Sequence, residues 1–421
     1  MSELVFSLSE KLRPVLLKIF PQQFLKFIKN KIVYRKASKL KKEGILPFDP
    51  KMYPKGVNLI GGIRTQNGLG QSCRLVADIL EQTGWEYTIY DYSAIKNIGR
   101  NDHSHDDKVT NMLPYSINLL HLNPFELQMA HLEMGNKLFN GHYNIGYWLY
   151  EIEKIPEDWL PGIDLVDEIW TPSEYISNCF RKLTDKPVYT KSYSVSAPID
   201  PEYDRKYFQL PEDVFLYLVM YDANSTSSRK NPLGAINAFK SAFSHDDDKV
   251  GLVVKINHGS REDIAFLQQE LKGYHNIFFI THTMDKTEVN SLIADADVFV
   301  SLHRAEGFGL VMAEAMLNGT ACIATDYSSN TEFMDAETAC MVDYKLIELT
   351  GDTGFYPKGS KWAEPDYDQA AEYMRRLLKE PEFYSEITKR AKVSIEKKMQ
   401  MKAVQKTYAQ RLEEIYAINR C

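Results

Sequence analysis

Short apolar runs that end at glycine or a polar turn alternate along this chain with stretches whose apolar residues recur every three to four positions. Residues 56–63 (Gly-Val-Asn-Leu-Ile-Gly-Gly-Ile) read as a buried strand, 64–72 as a polar, glycine-bearing turn, and 72–83 as an amphipathic helix stopped by Gly84. Further strands are predicted at 86–90, 116–121, 144–149 and 168–171, with helical patterns between them. Pro187, Pro198, Pro201 and Pro211 then break the rhythm, and residues 186–211 read as an interdomain connection. The alternation resumes with strands at 214–221, 251–256, 277–281, 298–302 and 321–324, and helices at 235–243, 262–271, 288–294 and 310–318. Three helical patterns close the chain at 370–378, 384–397 and 403–417. Strand and helix alternating twice over predict an α/β protein of two doubly wound, Rossmann-like domains, each a parallel sheet covered on both faces. The expected division is 1–45, 46–200, 201–400 and a terminal helix at 401–421.

A length of 421 residues fits two domains, and a quarter of them are charged, an ordinary globular balance. Five scattered cysteines lack metal-ligand spacing and read as reduced thiols. No apolar run is long enough to span a bilayer and no signal-peptide core is present, so a cytoplasmic location is expected. Charge changes the picture at one end. Between Lys11 and Lys42 every charged residue is basic, so this segment carries +11 of a chain whose net charge is −7, and the rest carries −18. Large apolar residues such as Leu16, Phe20, Phe24 and Phe27 lie between the charges. That mixture predicts an arm lying on an anionic membrane surface, each cation contributing about 1 kcal/mol. Nucleic acid is not expected as a partner.

The densest chemistry follows the predicted strand at 298–302: His303-Arg304-Ala305-Glu306-Gly307-Phe308-Gly309-Leu310, running into a helix that ends at Gly319. A strand, a glycine turn and a helix leave backbone N–H groups pointing beyond the strand's carboxyl end, where an anion such as diphosphate fits. Glu306 and Glu314 frame that place and suit hydroxyls, so a nucleotide sugar matches the set. Basic Arg229-Lys230 after the first strand of the second domain, and Lys255 at the end of its second, supply positive charge for a leaving diphosphate. No Asp-x-Asp metal motif stands out: Asp295 and Asp297 lead into a strand, and no metal or other cofactor is expected.

Glu306 and Glu314, seven residues between them, with the Gly307-Phe308-Gly309 turn, resemble the E-x7-E signature of retaining glycosyltransferases of family 4. The resemblance runs from about residue 56 to 376 and implies the GT-B fold, two Rossmann-like domains facing across a cleft. It also implies that Glu306 lies against the donor sugar, that Glu314 binds the nucleotide ribose, and that Lys230 holds the diphosphate. The family's second phosphate ligand, an Arg, is replaced by the stretch around Asp222, leaving Arg229 or Lys255 for that part. Gly68 and Gly70 resemble the glycine-rich loop that meets the diphosphate from the first domain, and 330–333 a stretch that meets it from the second; Asn330 as a helix cap is the alternative. A Gly146-Tyr147-Trp148-x-x-Glu151 stretch is similar to one found in related bacterial enzymes; Glu151 is a candidate acceptor base, and Trp148 and His121 are candidate sugar contacts. The last helix is implied to return to the first domain. The function implied is metal-independent transfer, with retention, of a sugar to a glycan or lipid-linked glycan acceptor in bacterial cell-surface synthesis, at the inner face of the membrane. Two rivals are a non-catalytic GT-B partner subunit and a sugar-nucleotide epimerase on the same fold.

Overall fold

A computed structural model of the chain describes residues 44–94, 99–223, 225–354 and 356–418. The basic segment 11–42, and with it the expected membrane arm, lies outside the described residues. Six parallel strands form the first sheet: β1 Val57–Gly61, β2 Tyr87–Asp91, β3 Ile117–His121, β4 Tyr143–Tyr147, β5 Glu168–Thr171 and β6 Val188–Thr190, in the order β2-β1-β3-β4-β5-β6. Its middle strands are buried on both faces, so apolar alternation cannot set their register. A polar ladder marks it instead. Asn58 donates to Asn118 (2.9 Å) and Asn118 to Asn144 (2.9 Å), joining paired positions on β1, β3 and β4. A slip of one residue would break these bonds inside the core.

The second sheet holds β7 Phe215–Asp222, β8 Val250–Asn257, β9 Ile277–Ile280, β10 Val298–Ser301, β11 Ala321–Thr325 and β12 Cys340–Val342, all parallel, in the order β12-β11-β10-β7-β8-β9. In each sheet the strand order reverses once, between β1 and β3 in the first and between β7 and β10 in the second. Ligands of open α/β sheets bind outside the carboxyl ends at such reversals. Between β12 and the helix Tyr367–Lys379 stands an antiparallel ribbon, β13 Tyr344–Glu348 with β14 Lys361–Pro365, which the sequence pattern did not predict. Its connecting loop reaches the first domain: Tyr356 packs near Tyr150 with ring centroids 5.9 Å apart, and Lys154 Nζ donates to the Lys358 carbonyl (3.0 Å). The expected linker at 186–211 is partly ordered as β6, an edge strand of the first sheet.

The last helix, Met401–Ala417, lies on the first domain. Tyr408 stands edge-on to Trp170 and donates to the Lys191 carbonyl (3.0 Å), and the Lys191 amine donates to the Thr407 carbonyl (2.5 Å). Arg411 Nη2 meets the wholly buried Glu168 at 2.6 Å. Glu168 also accepts from Tyr143 and from the Trp170 indole. Removing one partner of a buried pair leaves an uncompensated charge. Arg411→Met should therefore destabilise the protein by about 3 kcal/mol, read as a lower urea midpoint; adding Glu168→Gln should recover part of the loss.

Candidate functional site

The loops after β7 and β10 meet at the reversal of the second sheet. From the β10 loop comes Glu306, 7% exposed, its N–H donating to Ser328 Oγ (2.8 Å). Lys230, at the end of the short helix Ser227–Lys230, places its amine 2.5 Å from Glu306 Oε1. Arg229 is buried beside it: Nη1 donates to the Ala305 carbonyl (2.7 Å) and stands 3.3 Å from Glu306 Oε2. Burial alone would raise the Glu306 carboxyl, but Lys230 and Arg229 outweigh it and hold the group at about 2. Glu306 is thus an anion across the working pH range, an acceptor of hydrogen bonds and not a proton donor.

The glycines of the turn have separate reasons. Gly307 passes so close to the first domain that an added Cβ would stand 3.0 Å from the Tyr150 carbonyl oxygen. Gly309 caps the helix Leu310–Asn318 with φ +93°, a left-handed conformation that glycine adopts without strain. Phe308 turns inward between Tyr193 and Phe333, and Leu310 begins the helix. A little over one turn on, Glu314 is 1% exposed; Lys286 pairs with its Oε1, while Oε2 has no hydrogen-bond partner among the described residues. A buried, unpartnered carboxylate oxygen is costly, and a ligand hydroxyl would satisfy it.

Across the cleft, Asn67 caps the helix Gly68–Gln82 by accepting from the Gly70 N–H (2.8 Å), so this helix starts four residues earlier than its apolar pattern indicated. An added Cβ on Gly68 would meet nothing within 4 Å, whereas one on Gly70 would stand 2.0 Å from the Thr65 carbonyl oxygen. Gly70 therefore serves the turn's own packing, and Gly68 leaves the helix start open. His121 ends β3; its Nε2 lies 2.7 Å from Ser72 Oγ, and its ring stacks on Tyr147 at 5.1 Å. Burial pushes the imidazole down to about 4, so it is neutral.

Several expected roles change. Trp148 is fully buried against Phe180, and Gly146 is bare to make room for its ring, so no face is open to a sugar. Glu151 does not stand free as a base: Oε2 accepts from Tyr356 (3.0 Å) and Oε1 lies 3.7 Å from Arg229 Nη2. Arg229 in turn faces Glu306 and Glu151 from a buried position, already neutralised, and is not presented to a phosphate. Lys255 is wholly enclosed, donating to Asn257 Oδ1 (2.5 Å) and the His282 carbonyl (2.7 Å), its amine pushed down to about 8 by burial. Asn330 does not cap a helix; it donates to the Thr325 carbonyl and meets His303 Nε2, bracing the β10 and β11 loops together. Asp222 sits 3.1 Å from His258 Nδ1 at the strand ends. Asp297, read as leading into a strand, accepts from Arg205 and the Leu216 N–H.

Residues absent from the sequence reading complete the site. Ser328, with φ +76°, receives the Glu306 N–H; Ser329 and Ser173 share a hydroxyl bond across the domains (2.8 Å). Tyr356 and Lys286 complete the carboxylate contacts described above. The Ser-Ser-Asn run after β11 was the available signal for the serines; the tyrosine came from an insertion with none.

Two six-stranded parallel sheets facing across a cleft, each covered by helices, are two Rossmann-like domains in the GT-B arrangement. Residues 216–394 match the family described as glycosyl transferases group 1. Solved structures agree on the fold. Alr3699/HepE of Anabaena in complex with UDP and glucose has a TM-score of 0.65 at 11% identity, covering 86% of this chain and 100% of that one. Sucrose-phosphate synthase of Thermosynechococcus elongatus has 0.64 at 14%, covering 86% and 99%. A glycosyltransferase of Rickettsia africae has 0.63 at 13%, covering 87% and 100%. No curated protein sequence matches the chain.

The depressed Glu306 carboxyl makes a pH signature. A group held at about 2 when folded, against an ordinary value of 4.5, contributes stability that is complete above 4.5 and is lost as pH falls through 2. The difference corresponds to about 3 kcal/mol. Lys230→Met should remove a large part of it, so the variant and the parent should differ more in unfolding free energy at pH 5 than at pH 2.

Proposed function

We propose that the protein is a retaining, metal-independent glycosyltransferase that moves a sugar from a nucleoside-diphosphate sugar to a glycan or lipid-linked glycan acceptor at an inner membrane face. The observation that carries the reading is the juxtaposition of Lys230, ionised Glu306 and the amino end of the helix Leu310–Asn318 at the reversal of the second sheet. Diphosphate charge meets the amine and the helix end, donor hydroxyls meet Glu306, and the unpartnered Glu314 oxygen receives a ribose hydroxyl. In the reaction the bond from the anomeric carbon to the diphosphate breaks and an acceptor oxygen bonds to that carbon. The nucleoside diphosphate leaves and the acceptor proton is released. Lys230 acts on the leaving charge; Glu306 orients and stabilises. Because a neighbouring fold is described with UDP and glucose, UDP is the first base to try.

Thermal stability against a panel of nucleoside diphosphates tests the donor site directly. A ligand at about a hundred times its dissociation constant adds about 2.7 kcal/mol, so one base should raise the midpoint selectively. Lys230→Ala should lower turnover at least about a hundredfold, in the range seen when one charge-stabilising donor is lost. Unchanged kinetics in that variant overturn the assignment of Lys230.

The basic segment 11–42 supports membrane contact on charge and apolar content alone, and no helix among the described residues is long and apolar enough to cross a membrane. Removing residues 1–42 should release the protein from anionic vesicles at moderate salt, measured by co-sedimentation; retained binding places the anchor elsewhere.

A further inference from the structure

Glu151 stands against the donor turn itself. A Cβ added to Gly307 would lie 3.6 Å from Glu151 Cγ, so this side chain of the first domain flanks the glycine turn of the second. Its carboxylate faces Arg229 Nη2 at 3.7 Å, beyond hydrogen-bond length, and Arg229 Nε has no hydrogen-bond partner among the described residues. Charge alone joins the two. What fixes Glu151 in place is the loop of the β13–β14 ribbon. Tyr356, 3% exposed, donates to its Oε2 (3.0 Å), and Lys154 Nζ holds the same loop through the Lys358 carbonyl (3.0 Å). The Glu151 side chain nevertheless keeps 29% of its surface open to solvent.

A carboxylate in this place opposes what the rest of the turn attracts. Lys230 and the amino end of the helix Leu310–Asn318 favour a diphosphate, and Glu151 repels one. Repulsion does nothing for capture of a donor, but it does act on release. The terminal phosphate of a free nucleoside diphosphate ionises a second time near about pH 6, so it carries about one more negative charge than the same phosphate joined to a sugar. Coulomb repulsion grows with that charge, and the product is therefore weakened more than the donor. We propose that Glu151 discriminates the spent nucleoside diphosphate from the sugar donor by charge and speeds its release, with Tyr356 as the positioning residue that keeps it at the turn. The proposal rests on the transferase reading above and adds the step that follows transfer.

The test uses the full chain with UDP and its β-methyl ester, which lacks the extra charge, each titrated by calorimetry. Glu151→Gln keeps the shape and an acceptor for Tyr356 while removing the charge. Its affinity for UDP should rise at least about tenfold, and for the ester by at most about fivefold. The gain should lie in a slower off-rate, followed by stopped-flow displacement. A merely structural role would do the opposite, because the buried Arg229 loses a counter-charge and binding loosens. Tyr356→Phe frees the carboxylate but keeps its charge, so its gain for UDP should fall between the parent and Glu151→Gln. Tyr175→Phe removes an interdomain hydroxyl contact, to Tyr327 at 3.1 Å, without touching a charge. It should leave UDP affinity within about twofold of the parent. The proposal is overturned by a Glu151→Gln variant that binds UDP no more tightly, or that gains equally for UDP and the ester, or whose gain Tyr175→Phe matches. Failure of the parent to bind any nucleoside diphosphate overturns the donor reading instead.

Discussion

Four charged groups stacked between the domains hold the site together: Lys230, Glu306, Arg229 and Glu151, in that order, each within ion-pair distance of the next. Three come from the second domain and the last from the first. With Glu151 in place the cluster sums to zero, and the buried Arg229 and Glu306 satisfy one another where neither could stand alone. Separating the domains carries Glu151 away and leaves one net positive charge beside the helix end that faces the cleft. Receptivity to an anion and the relative position of the two domains are therefore one electrostatic quantity. The ribbon β13–β14 enters the same balance, because Tyr356 from its loop holds the far oxygen of Glu151.

Parallel sheets, buried on both faces, are legible as apolar runs, and five strands of each are readable from strand spacing; the three-residue edge strands β6 and β12 are too short to show a pattern. The turn at 306–310 was equally legible, since glycines at 307 and 309 between two glutamates leave few alternatives. What failed did so for specific reasons. Arg229 and Lys255 stand at strand ends in sequence, and position alone cannot tell an open cation from an enclosed one; the Ala305 and His282 carbonyls that occupy them are distant in the chain. Trp148 looked like a binding aromatic because it sits at the end of β4, but the bare Gly146 two residues earlier makes its socket. Helix periodicity missed the first turn of Gly68–Gln82, where the cap, and not the apolar face, sets the start.

Polar groups inside the sheet were invisible for a related reason. Asn58, Asn118 and Asn144 each interrupt an apolar run by a single residue, which in isolation reads as noise. Only strand pairing aligns them into a ladder. The same pairing brings β3, with His121 at its end, beside β1 and its glycine turn, a neighbourhood that no local stretch of sequence announces.

The return of the last helix gives the chain an unusual order of assembly. Glu168, at the heart of the first sheet, waits for an arginine 243 residues further along, and Lys191 for a carbonyl 216 residues on. A polypeptide emerging from the ribosome can lay down the six strands of its first domain early, yet that domain keeps a buried carboxylate without its cation until Arg411 has been made, after the whole second sheet. The second domain, by contrast, has its own sheet and core in hand sooner. The half of the protein that is made first is thus the half that is finished last.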